Sequence, residues 1–296
     1  MVRLLALFGA VTISFSAILV RLADLSPSTM AFFRPAYALP VLLVLALASR
    51  RHDPRSPALR IATVAAGTLM GLAFVFWNYA IADIGAGAAT VLSNTQVVFV
   101  GVAAWLLYGE RPTGAALVAV PLVFAGVALT SGLGLENAYG QAPVIGALWG
   151  LANASVYASF LLLFRALNRG RGLPAGVLFD ASLGAALATL ATGLFTDPGF
   201  SLAFTWPAHG WLILLALGPQ VVGWLLILTA LPRLPALETS VTLLAQPMLT
   251  VVWGRLLFAE RLSWVQAGGV ALVLGGILAL SLAGTVRRRA PAPAAD

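Results

Sequence analysis

The chain of 296 residues contains no cysteine and no lysine, and all 17 of its basic residues are arginine. Without cysteine there is no disulfide, iron–sulfur cluster or thiolate metal site. Without lysine there is neither a phosphate-loop lysine nor a Schiff-base lysine, because both chemistries need the amine. Histidine is nearly as scarce: His52 and His209 are the two present, and both are expected in loops on opposite sides of the molecule, which leaves no two-histidine metal site within one chain. The expectation is no metal, no cofactor and no enzyme. Charge is also sparse. Only 9% of residues are charged while 60% are hydrophobic, with a mean hydropathy of +0.97, against roughly 25% charged in soluble domains. No polar stretch is long enough to fold by itself, so the chain reads as an integral membrane protein. The formal charge of +7 sits in short loops between apolar runs. It reads as membrane orientation, with the lipid bilayer and not nucleic acid as the partner.

What is present is long apolar runs. A hydrocarbon core about 30 Å thick needs roughly 20 apolar residues per helix. Cutting the chain at charged or Pro/Gly-rich breaks predicts ten helices near 4–22, 29–48, 61–80, 86–108, 114–131, 144–164, 174–195, 211–231, 236–258 and 262–282. The runs lack the alternation of barrel strands, so the fold class is all-α. The first run continues into Arg21 and Asp24 without a clear cleavage site and is read as a retained helix. With the N-terminus inside, Arg3, Arg50, Arg51, Arg55, Arg60, Arg111, Arg165, Arg169, Arg171, Arg233 and Arg287 to Arg289 fall on the cytoplasmic side. Asp24, Asp83, Glu136 and Asp197 fall outside. Both termini are then cytoplasmic.

The last third repeats the middle. Shifting 86–131 by 150 positions lays it on 236–281 without a gap, matching Gln96 to Gln246, Glu110-Arg111 to Glu260-Arg261 and Gly126 to Gly276. Ala6-Leu7-Phe8-Gly9 recurs as Ala147-Leu148-Trp149-Gly150, and Phe33-Arg34 aligns with Phe179-Asp180. Internal repeats of membrane segments mark transporters whose substrate site lies between two halves, and five helices per half forces the halves to be inverted. The expected organisation is a first five-helix repeat at 1–132, a loop at 133–143, a second repeat at 144–284 and a disordered basic, proline-rich cytoplasmic tail at 285–296. The loop's glycines, Asn137 and Pro143 suit a flexible connection. The two Glu-Arg pairs read as structural caps at opposite faces, and Glu238 and Arg255 bracket the ninth helix.

The stretch Ala236-Leu-Glu-Thr-Ser-Val-Thr-Leu-Leu-Ala-Gln-Pro-Met, then Trp253-Gly254, Phe258-Ala-Glu-Arg-Leu-Ser263, Gln266-Ala-Gly-Gly269 and Gly275-Gly276, resembles the second repeat of the EamA family of the drug/metabolite transporter superfamily. The resemblance covers nearly the whole chain. It implies ten helices in two inverted halves, a place in the bacterial inner membrane, and export of amino acids or other metabolites by alternating access. Asn94-Thr95-Gln96 and the aromatic third and sixth helices look like YddG-type exporters of aromatic and other neutral amino acids. The first repeat departs from the family in having Val97 where the second has Pro247, so the two halves need not bend alike.

Candidate substrate residues follow from polarity inside apolar runs. On the sixth helix Trp149, Asn153, Tyr157, Phe160 and Phe164 form one stripe. On the third, Phe74, Trp77, Asn78 and Ile81 share a face, and on the fourth Thr90, Ser93, Asn94 and Val97 do. Amides in a membrane need partners; they either line a pocket with aromatic walls for an amino acid or bridge helices. The candidates are Asn78, Trp149, Asn153, Tyr157, Trp77, Ser93, Asn94, Gln96, Gln220, Gln246 and Arg34. Arg34 either holds a substrate carboxylate or rests on a neighbouring carbonyl. Asp180 either binds a coupling proton or pairs with an arginine near the interface. Pro35, Pro40, Pro219 and Pro247 free backbone carbonyls, as static kinks or toward a cavity. The alternatives are an exchanger of nucleotide sugars or sugar phosphates, which would want more basic residues, and a channel. Monomer and homodimer stay open.

Overall fold

The computed structural model describes residues 2–108, 114–132, 135, 138–168, 174–230, 233, 234 and 236–289, which form helices and connections with no strand among them. In order they are α1 (Val2–Ser14), α2 (Ser16–Ala23), α3 (Pro27–Ser49), a short 3₁₀ turn (Arg50–His52), α4 (Pro57–Ile84), α5 (Ala86–Ser93), α6 (Gln96–Tyr108) and α7 (Gly114–Thr130). There follow α8 (Pro143–Asn168), α9 (Pro174–Thr196), α10 (Ala208–Leu215), a π turn (Ala216–Gly223), α11 (Trp224–Ala230), α12 (Ala236–Phe258) and α13 (Trp264–Arg289). Among the described residues, seven segments are long and apolar enough to cross a membrane, and three shorter apolar helices accompany them at Ala116–Thr130, Thr242–Phe258 and Trp264–Leu280. Several expectations fall outside the described residues: Glu110-Arg111, Glu136, Asn137, Arg169, Arg171 and 290–296. So do the side chains of His52, Glu238 and Arg287 to Arg289.

The helices start where sequence chemistry allows. Ser26 and Ser56 cap α3 and α4 by accepting from the N–H groups of Thr29 and Leu59, and Pro27 and Pro57 occupy the first helical positions, where a missing N–H costs nothing. The last helix runs to Arg289, past the expected helix end near 282.

Of the prolines inside apolar runs, Pro219 alone coincides with a break, the π turn between α10 and α11. α3 runs through Pro35 and Pro40, and α12 through Pro247. The fourth predicted helix, which lacks the equivalent proline, is instead interrupted at Asn94-Thr95. There Ser93 Oγ donates to Ala89 O (2.8 Å), Asn94 Nδ2 to Thr90 O (2.8 Å) and Thr95 Oγ1 to Leu92 O (2.6 Å). Three consecutive side chains thus draw on the carbonyls that the helix would use, the competition that bends helices at Ser, Thr and Asn. The first predicted helix breaks at Phe15 in the same way, with Ser14 Oγ donating to Val11 O while Ser14 O accepts from Thr250 Oγ1 of α12.

Small residues let the helices close. On α4 and α9, Gly67 faces the Ala181 backbone and Gly184 faces the Val64 carbonyl so closely that neither could carry a Cβ. Without such a seam, two lipid-bathed helices would have little reason to associate, because lipid tails are as apolar as leucine. Outward-facing leucines such as Leu4, Leu106, Leu148 and Leu256 remain exposed, as expected for surface that meets hydrocarbon. At one end of the bundle, α3, α4, α8 and α9 gather around Asp53. Its carboxylate accepts from Arg55 Nε (3.0 Å), Arg55 Nη2 (2.8 Å) and Arg60 Nη2 (3.0 Å). The Arg55 hydrogen bonds, joined by Arg60, hold Asp53 well below the usual carboxylate range against the opposing effect of burial. This end also carries Arg50, Arg51, Arg165 and Arg233 and is called the arginine-rich face below; Asp24, Asp83, Tyr139 and Asp197 lie at the other.

Candidate functional site

A cavity of about 310 Å³ lies in the middle of the bundle, at the small end of the roughly 300–1,000 Å³ of small-molecule sites. It is lined from α1, α2, α3, α4, α5, α6, α8, α11, α12 and α13, and so by both sequence repeats. The break at Asn94-Thr95 places Ser93, Asn94, Gln96 and Val97 on its wall. Gln96 and its repeat mate Gln246 both line it. From mid-depth residues such as Trp77 and Asn94 the cavity reaches Leu161, Ile227 and Leu243, toward the arginine-rich face.

Among the described residues, Arg34 is the one charged side chain in that wall. It is 5% exposed and pairs with no carboxylate among the described residues. Its Nε donates to Gln220 Oε1 (2.9 Å), and its guanidinium lies 4.1 Å from the ring centre of Phe74 and 5.5 Å from that of Trp77. The rings and the amide replace part of the water it has lost, but a buried cation without an anion is costly. Two carboxamides share the wall. Asn153 Nδ2 donates to Ala73 O (2.6 Å) and Asn94 Nδ2 to Thr90 O (2.8 Å). A backbone carbonyl can only accept, so both amides are fixed nitrogen-inward, and their oxygens are left as acceptors for something else. The wall thus offers one cation and two oriented acceptors, with Tyr157 beside them and apolar surface elsewhere.

Eight of the sequence-derived candidates meet here: Arg34, Trp77, Ser93, Asn94, Gln96, Asn153, Tyr157 and Gln246. Three do not. Trp149 lies two turns from Tyr157, and its ring stacks on Phe76 (5.5 Å) and Tyr79 (5.2 Å), away from the cavity. Asn78 follows Trp77 by one residue and therefore by about 100° around the helix; it bonds Pro27 O (2.9 Å) and faces a different cavity. Gln220, fully buried, holds Arg34 from behind and also donates to Ser182 Oγ (3.4 Å). Asp180 lies at the arginine-rich end, its Oδ2 2.8 Å from Arg55 Nη1 in an ion contact without hydrogen-bond angles. His209 is not in a loop: it is buried in α10, with Nδ1 2.6 Å from the Tyr37 hydroxyl and Nε2 3.0 Å from Ala203 O. No group of three metal-ligating side chains occurs among the described residues.

The end opposite the arginine-rich face is closed by residues that sequence reasoning treated only as a cap or not at all. Helix α5 begins at Gly85 with no capping side chain of its own. Glu260 supplies the cap from 174 residues away, accepting from Ala86 N (2.8 Å) and Gly87 N (3.1 Å) while it pairs with Arg21 of α2. Arg21 lies 4.4 Å over the Phe258 ring and donates to the Tyr139 hydroxyl (3.2 Å). The fit demands glycine at 85, whose φ is +83° and whose Cβ would fall 2.8 Å from Glu260 Oε1. The one signal in the sequence was a helix start lacking Ser, Thr, Asp or Asn. Ile18, Val20, Met30, Ile81 and Ile84 belong to one buried hydrophobic cluster.

Comparison with known proteins completes the identification. The profile of the EamA-like transporter family matches residues 1–132 and 144–282. The uncharacterized transporter YcbK of Bacillus subtilis (strain 168) is 31% identical over 171 residues, 54% of this chain and 53% of that protein, so the match spans about half of that relative. The uncharacterized protein PA1977 of Pseudomonas aeruginosa is 31% identical over 264 residues, 89% of this chain and 85% of that one. A solved chain described as "Crystal structure of protein" superposes with a TM-score of 0.63 over 98% of this chain and 99% of its own; at 16% identity it speaks for the fold alone. With the family profile spanning both repeats of an all-helical, multi-pass chain, the protein belongs to the EamA-like transporter family.

Proposed function

We propose that this membrane transporter exports neutral α-amino acids, aromatic ones included, by alternating access. The reading rests on a single observation: a guanidinium with no carboxylate partner among the described residues and two nitrogen-anchored amides face one small, mostly apolar cavity. The substrate carboxylate would neutralise Arg34, the ammonium would donate to the oxygens of Asn94 and Asn153, and the side chain would lie against Trp77, Trp224 and Leu161. In this reading the chain crosses the bacterial inner membrane ten times as two inverted five-helix halves, with both termini cytoplasmic and the arginine-rich face inside. The cavity then faces the cytoplasm while the Arg21–Glu260 pair closes the exit. One guanidinium in about 310 Å³ is poor provision for a nucleotide sugar, whose phosphates ask for several basic groups.

No carboxylate lines the cavity among the described residues, and Asp180 is engaged with Arg55. Export therefore runs down the substrate's own gradient without a coupling ion. The test is counterflow of radiolabelled amino acids in proteoliposomes, with and without imposed pH, sodium and potential gradients. Saturable exchange that no gradient concentrates is the expected result. Flux that does not saturate would make the protein a channel, and concentrative uptake would defeat uniport. Reporters fused after Asp296 and in the 50–60 loop should be cytoplasmic, and one near 197 external; termini on opposite sides would end the ten-helix reading.

A further inference from the structure

A second cavity, about 460 Å³, opens at the end opposite the arginine-rich face and is separated from the central one by the wall in which Trp77 and Ile81 stand. Its polar lining repeats the chemistry of the central site with other residues: Arg21, Asp24, Asn78, Tyr139 and Gln141. Of the five N–H donors of Arg21, one is used by Glu260 and one by Tyr139, and its side chain is 32% exposed. Glu260 shares its charge with the start of α5 as well, so it does not saturate the guanidinium. Asp24 is exposed, ends α2 in a left-handed conformation (φ 49°) and forms no ion pair among the described residues. Asn78, 2% exposed, has its nitrogen fixed on Pro27 O while its Oδ1 has no hydrogen-bond partner. A buried amide oxygen without a donor is costly, and Asn78 lines the same cavity as Asp24 and Arg21.

We propose that this outer cavity is a second binding site for a zwitterionic α-amino acid. Arg21 takes the carboxylate, and Asp24 together with the Asn78 oxygen takes the ammonium. The proposal rests on the amino-acid reading of the central cavity. It adds that the exported molecule passes through two sites in series, each with one arginine on an aromatic face, Arg34 on Phe74 and Arg21 on Phe258. Arg21 stands at the closure itself, so a carboxylate arriving there competes with Glu260 for the guanidinium and loosens the seal it must cross.

Equilibrium dialysis of tritiated L-phenylalanine against the purified full chain in nanodiscs tests this. Two equivalents per chain are expected. Asp24→Asn should weaken the outer site about tenfold or more, since it removes one member of a charge pair, and leave one equivalent with wild-type affinity; Asn153→Ala should spare the outer site and weaken the other. Asp24 is exposed, so its variant folds independently of the outcome, whereas Arg21→Gln also disturbs the Glu260 cap and serves only as a second measurement. One equivalent in the wild type, or two that Asp24→Asn leaves unchanged, overturns the outer site and spares the central one. No binding at either site would remove both.

Discussion

Replacing Glu260 by glutamine tests whether the buried cap is what keeps the outer end shut. The carboxylate accepts from three donors at once: the Arg21 guanidinium and the N–H groups of Ala86 and Gly87. Glutamine has nearly the same shape but one accepting oxygen, and its NH₂ must confront one of those donors. Hydrogen bonds to charged groups contribute about 1.5–3 kcal/mol against roughly 0.5–1.5 for neutral ones, and the anion at a helix start adds about 0.3–1 kcal/mol. Together the loss comes to about 3 kcal/mol of the closed arrangement. At about 1.4 kcal/mol per factor of ten, that is roughly a hundredfold in the closed-to-open ratio. A chain open about 0.1% of the time would become open about 10% of the time, within the range of ordinary minor states. The native chain has no cysteine, so Val97→Cys in the cavity wall is a reporter without background. Its labelling by a membrane-impermeant maleimide from the Asp24 side should rise about a hundredfold in Glu260→Gln, following that ratio. Equal labelling rates in two folded proteins would show that the pair does not hold the closure.

Three further outcomes are expected. Arg34→Gln should weaken substrate binding about a hundredfold while monodispersity in detergent persists, and Arg34→Lys should recover only part, because it restores the charge but not the Nε bond to Gln220; full activity in Arg34→Gln would remove the carboxylate role. Gly184→Ala should sharply lower the yield of folded protein, as overpacking costs about 1–3 kcal/mol and the obstructing atom is the Val64 carbonyl. Gly101→Ala, with open space around it, should be neutral or stabilising, and equal yields would refute the seam. Asp53→Asn should lower thermal stability by about 3 kcal/mol at pH 7, the cost of breaking a buried ion pair. The folded Asp53 carboxyl sits below its ordinary value of about 4, so its contribution is complete above that pH and fades as pH falls toward the folded value. The gap to Asp53→Asn should therefore narrow by about 1 kcal/mol at pH 3, and a gap unaffected by pH would mean that the carboxylate charge is not what stabilises this end.

The sequence carried the membrane character and most of the cavity's polar residues, because an arginine or amide in a long apolar run is conspicuous whatever its neighbours. Arg34, Asn94, Asn153 and the Gln96–Gln246 pair needed only that contrast. Helical periodicity was too coarse to divide Trp77 from Asn78, which sit one residue apart and face different cavities. It was equally unable to tell that Trp149 stands at the level of Phe76 and Tyr79. Of Pro35, Pro40, Pro219 and Pro247, only Pro219 marked a departure from α-helix, the π turn that holds it; the fourth predicted helix breaks instead where Ser93, Asn94 and Thr95 compete for helix carbonyls, while α12 runs on through Pro247. The Arg21–Glu260 closure joins residues 239 apart. Nothing in either local sequence says that the end of α2 meets the end of α12; that follows only from the packing of whole helices.

The π turn at 216–223 sets the phase of everything after it. Backbone N–H groups there reach back five residues where an α-helix reaches four, so the segment absorbs one residue more than an α-helix of equal turn count. At 3.6 residues per turn, one residue is about 100° of rotation. Carried onward in the register of α10, the helix would point Gly223 and Leu226 at the cavity; with the extra residue taken up, it points Trp224 and Ile227 there instead. The turn therefore works as a vernier: a related chain with one residue fewer between 216 and 223 could close the π turn to an α turn and still present the same face of α11 to its substrate.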